Sequence, residues 1–254
     1  MKDLIRQYTV IFTTLLTITV NILANALPIN GLNTGQISDR FDVYFVPAGY
    51  VFSIWGLIYI FIIAYMIYQA LPSKRESEIA RATGWWFSLG NLANSIWIFL
   101  WHYLMFPATL AAMLVLLVSL IMVYLNTRQA ATQGTAAFWA FSAPFSLYLG
   151  WISVATVANV TSLLDFLQWD RFGLSEEVWM VIILAVVTGL AWLMNARFKD
   201  VIYTLVFLWA LAGIALKHAS VPVVSISTWI SFSLVLVSYL YFTLFRNRKE
   251  PKNA

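Results

Sequence analysis

Eight long stretches almost free of charge, separated by short segments that hold nearly all of it, constrain this chain more than any other feature. They run roughly over Tyr8–Leu27, Gly49–Ala70, Thr83–Tyr103, Pro107–Leu125, Ala136–Val160, Glu177–Asn195, Val201–Leu216 and Val223–Phe245. Each is close to the ~20 apolar residues that an α-helix needs to cross the hydrocarbon core of a bilayer. The seventh is the shortest, and Lys217, His218 and Pro222 mark the turn that follows it. Only 10% of the 254 residues are charged, well under the ~25% of ordinary soluble domains. A soluble fold could not cover its outside with so few, and no polar tract is long enough for a disordered chain. The expected fold class is all-α: a polytopic transmembrane helix bundle of about eight spans.

The charges also orient the spans. With alternating sides, the amino-terminal side holds Lys2, Arg6, Lys74, Arg75, Arg81, Arg128, Arg197, Lys199, Arg246, Arg248, Lys249 and Lys252. The opposite side holds Arg40, Arg171 and Lys217, together with Asp39, Asp42, Asp165, Asp170, Glu176 and Glu177. Twelve basic residues against three is a strong positive-inside bias. Both termini are therefore expected in the cytoplasm, and the setting in a bacterial cytoplasmic membrane. The net charge of +4 belongs to this asymmetry, so no nucleic-acid partner is expected. Ala24-Asn25-Ala26 resembles a signal-peptidase site, but the run before it is longer than a signal core and reads as the first span.

Two outer segments are more than connectors. One, from about Pro28 to Ala48, is rich in Asn and Gly; the other, from about Thr161 to Glu176, holds Asp165, Trp169, Asp170 and Arg171. Ser175 before Glu176 and Glu177 has the pattern of an N-cap with acids in the first turn.

Ionisable groups at mid-membrane are the usual marks of proton relays and ion coupling. Here His102, Lys217 and His218 all fall at span ends and read as interfacial residues. Uncharged polar groups are arranged in stripes instead. Thr13, Thr17, Asn21 and Asn25 share one helix face; Asn91, Asn94, Trp97 and Trp101 share another; Tyr148, Trp151, Ala155 and Asn159 a third; Trp55 and Tyr59 form an i,i+4 pair. Amides facing lipid would be costly, so these faces should point into the bundle. Each stripe by itself is explained by hydrogen-bonded helix packing. Together they also suit the walls of one aromatic pocket for a flat hydrophobic ligand.

Three of these stretches carry motifs that resemble the TspO family, the tryptophan-rich sensory or translocator proteins. Pro47-Ala48-Gly49-Tyr50-Val51-Phe52-Ser53-Ile54-Trp55-Gly56-Leu57-Ile58-Tyr59 is similar to the family's loop-to-second-helix signature, P-P-G-W-V-F-P-I-V-W-T-I-L-Y. Ala93-Asn94-Ser95-Ile96-Trp97, followed by Pro107 and Ala111, resembles its third helix and the start of the next. Trp151-Ile152-Ser153-Val154-Ala155-Thr156-Val157-Ala158-Asn159 resembles its fifth. The chain departs from the pattern in lacking one residue between Phe52 and Trp55, in Tyr50 and Ser53 for Trp and Pro, and in the longer spacing from Pro144 to Trp151.

The resemblance covers about residues 1–165 and implies a five-helix transmembrane bundle there, with residues 166–254 as a three-helix transmembrane extension. It implies an intramembrane pocket capped by the first loop and able to take a porphyrin or another flat hydrophobic molecule. Its candidate wall is Trp55, Tyr59, Asn94, Trp97, Trp151, Ala155 and Asn159, to which the fifth-span stripe adds Tyr148. The expected function is a membrane ligand-binding or sensory protein, whose partners are the lipid bilayer and a hydrophobic small molecule; a homodimer stays open. The alternative is a transporter of a small apolar or neutral solute without ion coupling. Neither a metal-ligand cluster nor a nucleophile–base set is visible, so any catalysis would be borne by a bound porphyrin or by light.

Overall fold

The structure, a computed structural model, describes residues 1–27, 29–128 and 134–245. Pro28, expected to open the first outer loop, lies outside the described residues, as do Arg246, Arg248, Lys249 and Lys252 of the charge map. Eight long helices carry the fold: α1 Lys2–Ala26, α2 Ile54–Ala70, α3 Glu78–His102, α4 Phe106–Thr127, α5 Ala143–Phe166, α6 Glu176–Phe198, α7 Val201–Lys217 and α8 Pro222–Leu244. No strand occurs among the described residues. The protein is a polytopic all-α membrane protein in contact with lipid.

Six helical segments are long and apolar enough to cross a bilayer unaided. Apolar α7 is shorter, at 17 residues. α3 is long enough, but four tryptophans with Ser88, Asn91, Asn94 and Ser95 lower its hydropathy. Ser88, Asn91 and Ser95 are buried.

Local chemistry sets the helix ends. The Ser175 hydroxyl accepts from Val178 N–H, as the N-cap pattern predicts, and Asp200 accepts from Tyr203 N–H to start α7. Lys199, in the left-handed region at φ 52°, ends α6 one residue before that cap. Pro107, Pro144 and Pro222 sit in first turns, where a missing N–H costs nothing. Ahead of Pro144 the chain makes a wide π-type turn over Phe138–Ser142, so α5 proper starts later than the apolar run does. It also runs six residues past Val160 to Phe166, because Thr161 and Ser162 continue its buried face; Asp165 is thus in the last turn of a helix, not in a loop.

The chain divides into two compact units. The first comprises residues 1–42 and 53–167. In it α1 packs on α2 and α3, α3 on α4, α4 on α5, and α5 back on α2, which closes a ring of five helices. One end of the ring is filled by Tyr65, Phe87 and Phe145, whose rings meet edge to face at 4.8–5.3 Å. At that end the Arg6 guanidinium donates to Arg75 O at 2.6 Å and Gln7 Nε2 to Gln69 O at 2.7 Å, tying α1 to the α2–α3 turn. The second unit comprises residues 43–52 and 168–254. Its α8 packs on both α6 and α7, joined by Asn195, which donates to Ser238 Oγ at 2.8 Å and accepts from Thr204 Oγ1 at 2.6 Å.

Candidate ligand site in the five-helix ring

The polar stripes resolve into two different structures. The first is a seam between α1 and α3. Thr17 Oγ1 donates to Asn91 O at 2.6 Å and lies 2.9 Å from Ser95 Oγ, Asn91 Nδ2 donates to Thr14 Oγ1 at 3.1 Å, and Asn21 Nδ2 donates to Asn94 Oδ1 at 2.7 Å. Small polar side chains permit this close approach, and hydrogen bonds replace the hydrophobic drive that lipid does not supply. Asn94 is thus held by α1. Asn25, grouped with this stripe by spacing, is exposed in the last turn of α1 and donates only to its own helix, at Asn21 O. There the face has already left the bundle, and headgroup or water can solvate the amide.

The second structure brings α3, α4 and α5 together. Trp97 Nε1 donates to Asn159 Oδ1 at 3.3 Å, and Asn159 Nδ2 donates to Thr109 Oγ1 at 3.0 Å. The Trp97 indole stacks on Trp101, with centroids 5.2 Å apart and planes 19° apart. Trp101 Nε1 donates to Thr34 O at 3.2 Å, and Phe41 and Phe106 set their rings against Trp101. Thr109, Thr34, Phe41 and Phe106 were not among the residues expected here. Thr109 sits on a helix without a polar stripe, and a loop residue has no periodicity to reveal it.

The aromatic pairs of α2 and α5 lie in the same ring. Tyr65 meets Phe145 at 4.8 Å on these antiparallel neighbours. Six residues, about 9 Å along each helix, put Tyr59 at the axial level of Trp151, and ten put Trp55 at the level of Ala155. The Tyr148 phenol is accordingly an electrostatic neighbour of Tyr59. Tyr148 and Trp151 are 4% and 5% exposed, while Trp55, Tyr59 and Ala155 are half-buried. Among the expected site residues, Trp97 and Asn159 are joined by a hydrogen bond, and Asn94 is engaged at the α1 seam.

His102 lies at the end of α3, as expected, and is buried there, 1% exposed. Its Nδ1 is 3.0 Å from Ile29 O and its Nε2 is 3.0 Å from Thr34 Oγ1. A carbonyl only accepts, so Nδ1 carries the proton and Nε2 accepts from Thr34. Asn30 Nδ2 donates to His102 O at 3.0 Å. A loop that needed its backbone polar groups satisfied has recruited the histidine. The first outer loop is in fact divided between the units: residues 29–42 fold onto the end of α3, and residues 43–52 pack with the last three helices.

No curated protein and no solved structure matches the chain. A family model described as TSPO-like protein matches residues 7–241, a span that reaches into all eight helices. The second and third motifs and the helical part of the first sit on helices of the five-membered ring, and the match continues well past residue 165. This chain belongs to the TSPO-like protein family.

Proposed function

We propose that the protein binds a flat hydrophobic molecule, of tetrapyrrole type or similar, inside the five-helix ring, as a ligand-binding or sensory membrane protein. The observation that carries this reading is the Trp97–Trp101 stack in the same five-helix ring where Tyr148 of α5 neighbours Tyr59 of α2 and Trp151 is buried. Flat ligands gain from offset or edge contacts with aromatic faces, and a few fixed hydrogen-bonding groups orient them. Asn159 and Thr109 then act chiefly by holding Trp97 in place, and residues 29–42 serve as the cover at the α3 end. The charge map supports cytoplasmic termini in a bacterial cytoplasmic membrane, which labelling of tags at either end in intact cells tests.

The direct experiment is a titration of the purified protein with protoporphyrin, followed by tryptophan fluorescence. Saturable quenching that weakens in Trp55→Phe and Trp151→Phe is expected. Linear quenching, or quenching indifferent to both changes, overturns the reading. A protein-dependent flux of a neutral solute into proteoliposomes, without such binding, would favour transport instead.

A further inference from the structure

Residues 43–52 hold the whole P-A-G-Y-V-F part of the first motif, yet they pack with the carboxy-terminal helices. Two hydrogen bonds fix their backbone to α7. Ala48 N–H donates to Gly213 O at 3.3 Å, and Trp209 Nε1 donates to Val51 O at 3.0 Å. The Tyr50 ring stands edge-on to Trp209 at 5.5 Å, and the Tyr44 ring edge-on to His218 at 5.2 Å. Val51 is fully buried. Gly213 makes that possible: a Cβ built there would overlap Val51 Cγ2 and lie 3.5 Å from Pro47 Cβ. Trp209 and Gly213 are four residues apart, so α7 presents one continuous face to the segment.

We propose that this face of α7 is a clamp for residues 43–52, with Trp209 and Gly213 as positioning residues, and that holding this segment is a task of the last three helices. The segment runs directly into Ser53 in the chain. A bare backbone donor and carbonyl at the membrane edge need fixed partners. The main chain of Gly213 and the indole of Trp209 supply them, while the missing side chain at Gly213 admits Val51. The clamp stands on these contacts alone. Its consequence for ligand affinity rests on the ligand reading above.

Hydrogen–deuterium exchange on the full-length protein in lipid nanodiscs tests it. Trp209→Phe keeps a ring but deletes the donor; Gly213→Ala pushes on Val51. Each should speed exchange of peptides covering residues 43–52 by about tenfold, the scale of one hydrogen bond's net contribution. Peptides from α4 and α5 should not change. Adding Val51→Ala to Gly213→Ala removes the overlapping methyl groups and should restore protection. Unchanged exchange in both single variants, or a loss that the double variant fails to restore, overturns the clamp. Absence of porphyrin quenching in the unaltered protein would sink the ligand reading and leave this exchange result standing.

Discussion

Trp97 and Asn159 are joined across the ring by an indole-to-amide hydrogen bond of 3.3 Å, and the other end of the same amide reaches Thr109 at 3.0 Å. One buried side chain thereby ties three helices and fixes the plane of the indole that stacks on Trp101. Asn159 has no spare polar end for its neighbours to do without, so its loss leaves a donor and an acceptor unmet together.

Asn159→Leu should therefore lower stability by about 1–3 kcal/mol, with the lower half of that range expected where other helices offer substitute partners. Thermal unfolding in detergent measures it. Asn25→Leu serves as contrast, since that amide is exposed and bonds within its own helix; it should leave the midpoint unchanged. Equal effects of the two would show that the three-helix junction contributes nothing.

Gly90 sets the approach of α3 to α4. A Cβ there would lie 3.3 Å from Ser119 Cβ and 3.4 Å from Leu116 Cδ1. Gly90→Ala asks for a shift of a few tenths of an ångström at most. Gly90→Leu forces the helices apart, at about 1–3 kcal/mol. A graded fall in the denaturation midpoint from Gly to Ala to Leu is expected, and an unchanged midpoint in the leucine variant would contradict the close packing.

His102 holds residues 29–34 through both ring nitrogens and its own carbonyl. His102→Leu keeps comparable bulk and removes both side-chain bonds. Cleavage by trypsin at the exposed Arg40 should accelerate several-fold, because the rate follows the open population of the segment. If cleavage at Arg40 keeps its pace, the loop is held by its aromatic contacts alone.

His218 makes the second half of the same loop pH-sensitive. Burial lowers its pKa below the usual 6.5 and Lys217 beside it pushes the same way, while the carbonyls of Val46 and Tyr44 oppose them. Tyr44, whose ring meets His218 edge-on, is in turn hydrogen-bonded to the Glu177 side chain. The packed state thus binds fewer protons than the released one. Protection of residues 43–46 should be full above about pH 6.5 and fall as pH drops through the lower value of the packed state. Exchange measured from pH 7.5 down to 5, corrected for intrinsic rates, checks this; His218→Phe should flatten the profile.

Much of the architecture was legible from one dimension because the bilayer acts on single segments. A span must be apolar over its own length, and its ends must meet charge, proline or a capping group, as at Ser175 and Pro222. The α-helical period also shows which side chains share a face, so Thr13, Thr17 and Asn21 could be grouped before any partner was known. The polar and aromatic face of α3, which leaves it short of the hydropathy of the six spanning segments, was legible in the same way.

Partnership was not legible. Asn94 and Asn159 look alike in sequence, each ending or opening a motif with tryptophan. Yet Asn94 meets Asn21 at a helix seam, and Asn159 meets Trp97 and Thr109 inside the ring. Nor does anything local say that the loop before Trp55 is shared, with residues 29–42 on α3 and residues 43–52 on α7. The sequence by itself determined the class, the spans and their buried faces, since each follows from a short window of residues and the solvent around it. Only the tertiary structure decided which amide reaches which indole and which helix takes the loop. Those choices depend on contacts between distant segments, as with Trp209 and Val51, 158 residues apart, and no local periodicity encodes them.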